Sequence, residues 1–312
     1  MLMAICLTQA ALADAPITLK DPQYNVTYWI NSRAASPTEL VAPLSKKLDL
    51  IFKHALFKDR VPSKMAILID DSWTGASGYW SPSLKSPDGD AAVLFKSKAV
   101  LSDNQGWSIL VHELTHLVHH AHRPHEKNWV REGIALMAEF FVTGVYNPVL
   151  ASGFSEPETS LVGEVDPSLT EDDPKNSRVA LYGHILQYFI YLNRLCGGSA
   201  LYQELFFSKS KASGVEFIDE TLRKMAKLSK SSNVVCGNFE SSFRAFERAR
   251  FEQNMLFENQ YVLRSGFQAS VRDEPLSLPP FSAMAYLMDK SNICHKNDQL
   301  IKRGVCLKLR LE

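Results

Sequence analysis

Two histidines four residues apart, with a glutamate beside the first, carry the chemistry most legible in this 312-residue chain: His112-Glu113-Leu114-Thr115-His116. On a helix, residues at this spacing share a face, so both imidazoles can reach one metal ion. Glu113 sits about 100° further round, beside the pair, where its carboxylate can act as general base toward a water activated by that ion. The flanking Ile109, Leu110, Val111, Leu114, Leu117 and Val118 are apolar, and no charge or Pro interrupts them. A solvated helix face would not be bordered this way, so the run reads as a buried metal-binding helix.

A catalytic zinc site normally has three protein ligands and one open position. The best third ligand is Glu132, in Trp129-Val-Arg-Glu-Gly-Ile-Ala135, with 15 residues between it and His116. That is room for a turn and an antiparallel return. A competing set, His116-x-x-His119-x-x-His122, superficially resembles the metzincin form H-E-x-x-H-x-x-G-x-x-H, a resemblance that would make His122 the third ligand. Its pattern needs Gly at the position of His119, where the chain turns sharply and a Cβ is costly. No Met-containing turn is visible downstream either, since Met137 falls within a helical pattern. His119, His120, His122 and His125 are then expected to form a polar helix end, their imidazoles suiting the dipole, with adventitious metal binding a further use. Glu139, seven residues beyond Glu132, lies on the same helix face and could orient a ligand histidine.

With the two motifs in this order, residues 90–195 resemble the gluzincin metallopeptidases, whose HExxH helix is followed by a W-x-x-E-G-x-A type helix. The resemblance implies an α+β zincin-like fold, with a small mixed sheet and active-site helix leading into a mainly helical C-terminal subdomain. It implies one Zn²⁺ on His112, His116 and Glu132, and a peptide or protein substrate. Such proteins often carry a later helix with a Tyr near its start and an aromatic-Leu pair nine to ten residues on. Tyr182 with Tyr191-Leu192 matches, which makes Tyr182 the favoured oxyanion donor, since a phenol donates one hydrogen bond without charge. His184 is the runner-up, and core packing of these aromatics is the competing reading. Gly75-Ala-Ser-Gly-Tyr79 departs from the G-x-M-E-N element of related aminopeptidases, so no Glu is visible to hold a substrate N-terminus and endopeptidase activity is favoured. A catalytically silent binding protein of the same fold and a zinc hydrolase for a non-peptide amide remain the alternatives.

The elements that must position these residues read as follows. Residues 24–31 and Met65–Ile69 are strands by composition. Ser36-Pro37-Thr38-Glu39 is a helix start of capping-box type, and Leu40, Leu44, Leu48, Ile51 and Leu56 give that helix an apolar face to about Phe57. Gly75–Pro87 is turn-rich, and Ala91–Phe95 is a short strand expected to form the sheet edge that pairs with an extended peptide. The motif helix spans Asn104–His122 and stops at Arg123-Pro124; the next runs from Lys127 through Phe141 to Gly144. Residues 147–177, with four prolines, read as a long loop. Helices are expected at 178–195, 199–208, 214–229 and 238–257, and a strand at Val305–Leu311.

The organisation expected is a leader over 1–13, an N-terminal α/β subdomain over 14–125, a helical subdomain over 126–257 and an extension over 258–312. Ala11-Leu12-Ala13 fits an A-x-A cleavage pattern, although the stretch lacks a positive n-region and also suits a buried helix. Export would place the protein in a periplasmic or secreted setting. There Cys196, Cys236, Cys294 and Cys306 would form disulfides in one of three connectivities, with the local pairs Cys196–Cys236 and Cys294–Cys306 favoured, and four reduced thiols are the competing reading. Net charge is zero, with 46% apolar and 22% charged residues, so no electrostatic footprint for nucleic acid is present. No further run is long enough to span a membrane.

Overall fold

The computed structural model describes residues 16–21, 23–144, 178–229 and 234–251, together with the strands 271–272, 282–287, 299–302 and 305–310. The leader, the loop at 147–177 and Cys294 lie outside the described residues.

Five strands build the sheet that backs the site. They are β1 (Ile17–Lys20), β2 (Val26–Asn31), β3 (Met65–Asp70), β4 (Gly78–Tyr79) and β5 (Ala92–Phe95), in the order β1-β2-β3-β5-β4. β2, β3 and β5 run parallel, and β1 and β4 close the two edges antiparallel. The parallel strands are near-continuous apolar runs because helices and loops cover both faces of such strands; all four residues of β5 are buried. Helix α1 (Pro37–Lys53) connects β2 to β3. Its start follows the capping-box expectation: the Glu39 N–H donates to Ser36 Oγ, and the Ser36 N–H donates to Glu39 Oε2 at 2.8 Å, an arrangement worth about 1 kcal/mol. Leu40, Leu44, Leu48 and Ile51 bury its inner face. The helix ends at Lys53 rather than Phe57, because His54 turns extended; Leu56 and Phe57 reach the core from the turns that follow.

Ala91–Phe95 does not form the free edge of this sheet. Tyr79 pairs with Leu94 and Gly78 with Phe95, so β4, hidden in the turn-rich stretch, takes the outer position.

The short helix α2 (Ser97–Leu101) leads into the motif helix α3 (Asp103–His122), and α4 (Asn128–Thr143) returns against it and ends at the left-handed Gly144. Helices α5 (Arg178–Leu195), α6 (Gly198–Phe207), α7 (Gly214–Ser229) and α8 (Phe239–Phe251) complete the helical half. Among the described residues no helix is long and apolar enough to cross a membrane. Trp129 packs between Phe189 and Phe239, and the Tyr202 hydroxyl donates to the Ile134 carbonyl, so α4 is held by α5, α6 and α8. A disulfide joins Cys196 at the end of α5 to Cys236 before α8, matching one expected pair. Towards the C-terminus, β6 (Val271–Arg272), β7 (Ser282–Leu287), β8 (Gln299–Lys302) and β9 (Val305–Arg310) form a second sheet in the order β6-β7-β9-β8. Of these only β9 was legible as a strand.

Candidate metal centre

His112 and His116 sit one turn apart on α3, and Glu132 enters from the second turn of α4. His112 Nε2 lies 3.0 Å from His116 Nε2 and 3.2 Å from Glu132 Oε2, and His116 Nε2 is 3.5 Å from the same oxygen. A four-coordinate ion with bonds of about 2.0–2.1 Å spaces its donors roughly 3.3 Å apart. The three observed separations bracket that value, so the donor set fits a zinc-sized cation without rearrangement. Its chemistry fits as well: two imidazoles and one carboxylate, with a fourth direction left to solvent or substrate.

The outer side of His112 is fixed by a carboxylate. Its Nδ1 lies 2.8 Å from Glu139 Oε1, and the other oxygen of Glu139 accepts a hydrogen bond from Ser108 Oγ. When a metal takes the place of the proton on the inner side, donation of Nδ1–H outward to Glu139 leaves the Nε2 lone pair of His112 aimed at the centre. Lone pairs then converge from His112 and Glu132, an arrangement that demands a cation between them. The local electrostatics express the same demand. Burial opposes charge on His112, but hydrogen bonds to Glu132 and Glu139 more than offset it, and its pKa is raised well above the usual histidine range. Burial likewise works against an ionised Glu132, yet the facing His116 and His112 hold its carboxyl well below the usual carboxylate range.

Glu113 is buried next to this cluster, and burial pushes its carboxyl pKa up despite the neighbouring imidazoles. Strand β4 lies directly on it. A Cβ built on Gly78 would stand 2.2 Å from Ile109 Cγ2 and 3.2 Å from Glu113 Cγ, so only glycine lets the strand approach α3 this closely. Side chains alternate along a strand, and Trp80, two residues on, also meets α3. Its ring stacks on His116 with centroids 5.9 Å apart and packs against His120 at 5.2 Å. Behind Glu132, a Cβ on Gly133 would stand 2.2 Å from the Phe189 ring; the missing side chain lets α5 press onto α4 beside Glu132.

No protein-family model matches the sequence, and no curated protein matches it. Among solved structures, yeast LTA4 hydrolase in complex with Bestatin is similar with a TM-score of 0.47 and 14% identity, over 72% of this chain and 39% of that one. Native yeast LTA4 hydrolase gives 0.46 and 14%, over 71% and 37%. The chain thus spans well under half the length of those structures. A likeness this distant carries neither activity nor substrate across, and the chemistry of the centre must follow from its own geometry.

Among the described residues, His112, His116 and Glu132 are the His/Cys/Asp/Glu group close enough to hold one ion. His122 does not join them: α3 continues through His119 without a break, and the exposed His122 meets Phe207 edge-on. The polar helix end expected of the histidine run is wrong for His119. That side chain is 1% exposed, packs on Phe206, and has neither ring nitrogen hydrogen-bonded. Burial, with nearby positive groups, lowers its pKa to about 3, so it is a neutral core residue. Tyr182 is half-buried in the first turns of α5 and packs against the core. His184 is committed elsewhere, its Nε2 being 2.6 Å from the buried Glu247 Oε1. Sequence reasoning missed Ser108, Gly78 and Trp80. Ser108 stands one turn before His112, a spacing that could have flagged it; the other two carry no signal in their turn-rich stretch.

Proposed function

We propose that this protein is a zinc-dependent metallopeptidase in which one ion is held by His112, His116 and Glu132. The carrying observation is the convergence of these three donors at the spacing of a tetrahedral ion, beside a buried carboxylate. When bound, zinc supplies a Lewis acid that polarises a carbonyl and acidifies water. Glu113 takes the proton of the attacking water and later delivers it to the leaving amine; its raised pKa brings it nearer neutrality, where such a shuttle works best. The Tyr182 hydroxyl donates a hydrogen bond to the oxyanion that develops on the substrate. Glu139 keeps His112 in the tautomer that presents Nε2. The substrate is a peptide cut at internal bonds, a reading supported by the absence of a G-x-M-E-N element along Gly75–Tyr79. The Cys196–Cys236 disulfide supports export to an oxidising compartment.

The test is elemental analysis plus turnover on a diverse peptide library. Glu113→Gln should keep one zinc per chain and lose about 10²–10⁴ in rate, the usual worth of a general base. Turnover retained in that variant would sink the mechanism. A zinc-loaded wild type that cleaves no peptide would favour a silent binding protein or a non-peptide amide substrate.

A further inference from the structure

The turn that joins the two ligand-bearing helices is locked by a buried ion pair. Arg123 Nε and Nη2 donate to Glu126 Oε2 at 2.9 and 2.7 Å, and both side chains are almost fully buried. The rest of the guanidinium reaches a segment nearly ninety residues on. Nη1 donates to the Ser210 carbonyl at 2.8 Å, Nη2 donates to the Ala212 carbonyl, and the group lies 3.5 Å over the Phe217 ring. Glu126 does the complementary work with its other oxygen. Oε1 accepts the N–H of Lys127 at 2.9 Å and of Gly214 at 2.7 Å, and these residues stand at the starts of α4 and α7. Lys127, the N-cap of α4, has no side-chain cap of its own.

We propose that Arg123 and Glu126 are positioning residues for the metal centre, setting where α4 begins and hence where Glu132 meets His112 and His116. The proposal rests on the zinc reading above. A slip of one residue along a helix shifts a side chain by about 1.5 Å and turns it by about 100°. Donor separations of 3.0–3.5 Å do not survive that. Five residues, 123–127, carry the chain from α3 to α4, and their conformation is held from outside by carbonyls 210 and 212 and by the Gly214 N–H. Buried ion pairs add little net stability over apolar packing, because both charges must be desolvated. Arginine suits this pair because a planar fork of five donors can serve a carboxylate and two carbonyls together, which a lysine ammonium cannot.

The test is chelator-competition zinc titration of the full chain, read beside thermal unfolding of the metal-free protein. Glu126→Gln and Arg123→Lys should each weaken zinc binding at least tenfold, the usual size of an outer-shell effect, at a temperature where circular dichroism shows the chain folded. The double variant Glu126→Gln/Glu132→Ala should bind no more weakly than Glu132→Ala alone, because the clasp acts through that ligand. If the charged-pair variants fail to fold, Phe217→Leu removes only the ring beneath the guanidinium and should shift affinity in the same direction by a smaller factor. Unchanged zinc affinity with a lowered melting temperature, or losses that add in the double variant, would overturn the clasp's role while leaving the site intact. A wild-type chain that binds no zinc would overturn both, and is told apart by that single measurement.

Discussion

His112 and Glu139 face each other at 2.8 Å, Nδ1 to Oε1, across the α3–α4 interface, and this contact decides which nitrogen of His112 is free for a metal. The carboxylate is buried and shared with Ser108, so its loss would leave the imidazole free to rotate or change tautomer. Glu139→Ala should weaken zinc affinity by about 10–100-fold, the range for outer-shell partners of ligand histidines. Chelator competition measures it; affinity equal to wild type would mean that packing alone orients His112.

The closeness of β4 to Glu113, the proposed general base, makes Gly78 a sensitive position. Alanine there places a methyl 2.2 Å from Ile109 Cγ2, a clash at a β-branched side chain with little freedom to move. Gly78→Ala should cost about 1–3 kcal/mol of stability, as overpacking does, and lower turnover by displacing the strand that lies on Glu113. Zinc content should hold, because all three ligands are on α3 and α4. Ile109→Ala in the same chain removes the atom that is struck. Urea unfolding of the single and double variants reads the coupling, and a double variant that recovers nothing would place the strain elsewhere.

What could be read from the sequence was local. Helical spacing alone relates His112 to His116 and Glu132 to Glu139, and the capping box at Ser36 lies within four residues. Each of those readings needs only a helix's own geometry, and each matches the structure. What failed depends on partners far along the chain. His119 looks like a member of a polar helix end until Phe206, eighty-odd residues later, covers it. β4 is a two-residue strand that exists because β5 offers it a partner, and no periodicity can mark so short a run. The fork of Arg123 finds its acceptors on 210 and 212, which no motif connects to residue 123. His184 is a comparable case: it falls within the aromatic pattern around Tyr182, yet Glu247 on α8 takes it into the core.

The Cys196–Cys236 bridge closes a loop with a sequence separation of 40. In chain-entropy terms a loop of that size contributes about 4 kcal/mol by restricting the unfolded state. Reduction, or the paired Cys196→Ser/Cys236→Ser change, should therefore lower unfolding free energy by a few kcal/mol, while the proposed zinc ligands, which lie on other helices, should still take up metal at low temperature. Unfolding with and without reductant measures the first effect and elemental analysis the second. Equal stability in both states would mean that the bridge is strained or that the unfolded chain keeps structure around it.

His119 gives the fold an acid sensitivity that can be separated from the metal centre. Its folded-state pKa of about 3 lies below the free value of 6.5 because burial and the nearby positive groups disfavour the imidazolium. Above pH 6.5 the ring is neutral in folded and unfolded chains alike, and the group contributes no pH dependence. As pH falls from 6.5 towards 3 the unfolded chain takes up a proton that the folded chain refuses. Folding should therefore lose about 1.4 kcal/mol per pH unit through this residue. His119→Leu removes both the titration and two unpartnered buried nitrogens. Replacing an unsatisfied buried polar group with an apolar one of similar size gains about 1–3 kcal/mol, so the variant should be more stable at neutral pH and lose less on acidification. Urea unfolding of metal-free wild type and variant from pH 8 to pH 5 resolves both effects. A variant as acid-sensitive as wild type would show that other groups set the slope; one that is less stable at pH 7 would show that His119 has a partner, such as a buried water, that leucine cannot replace.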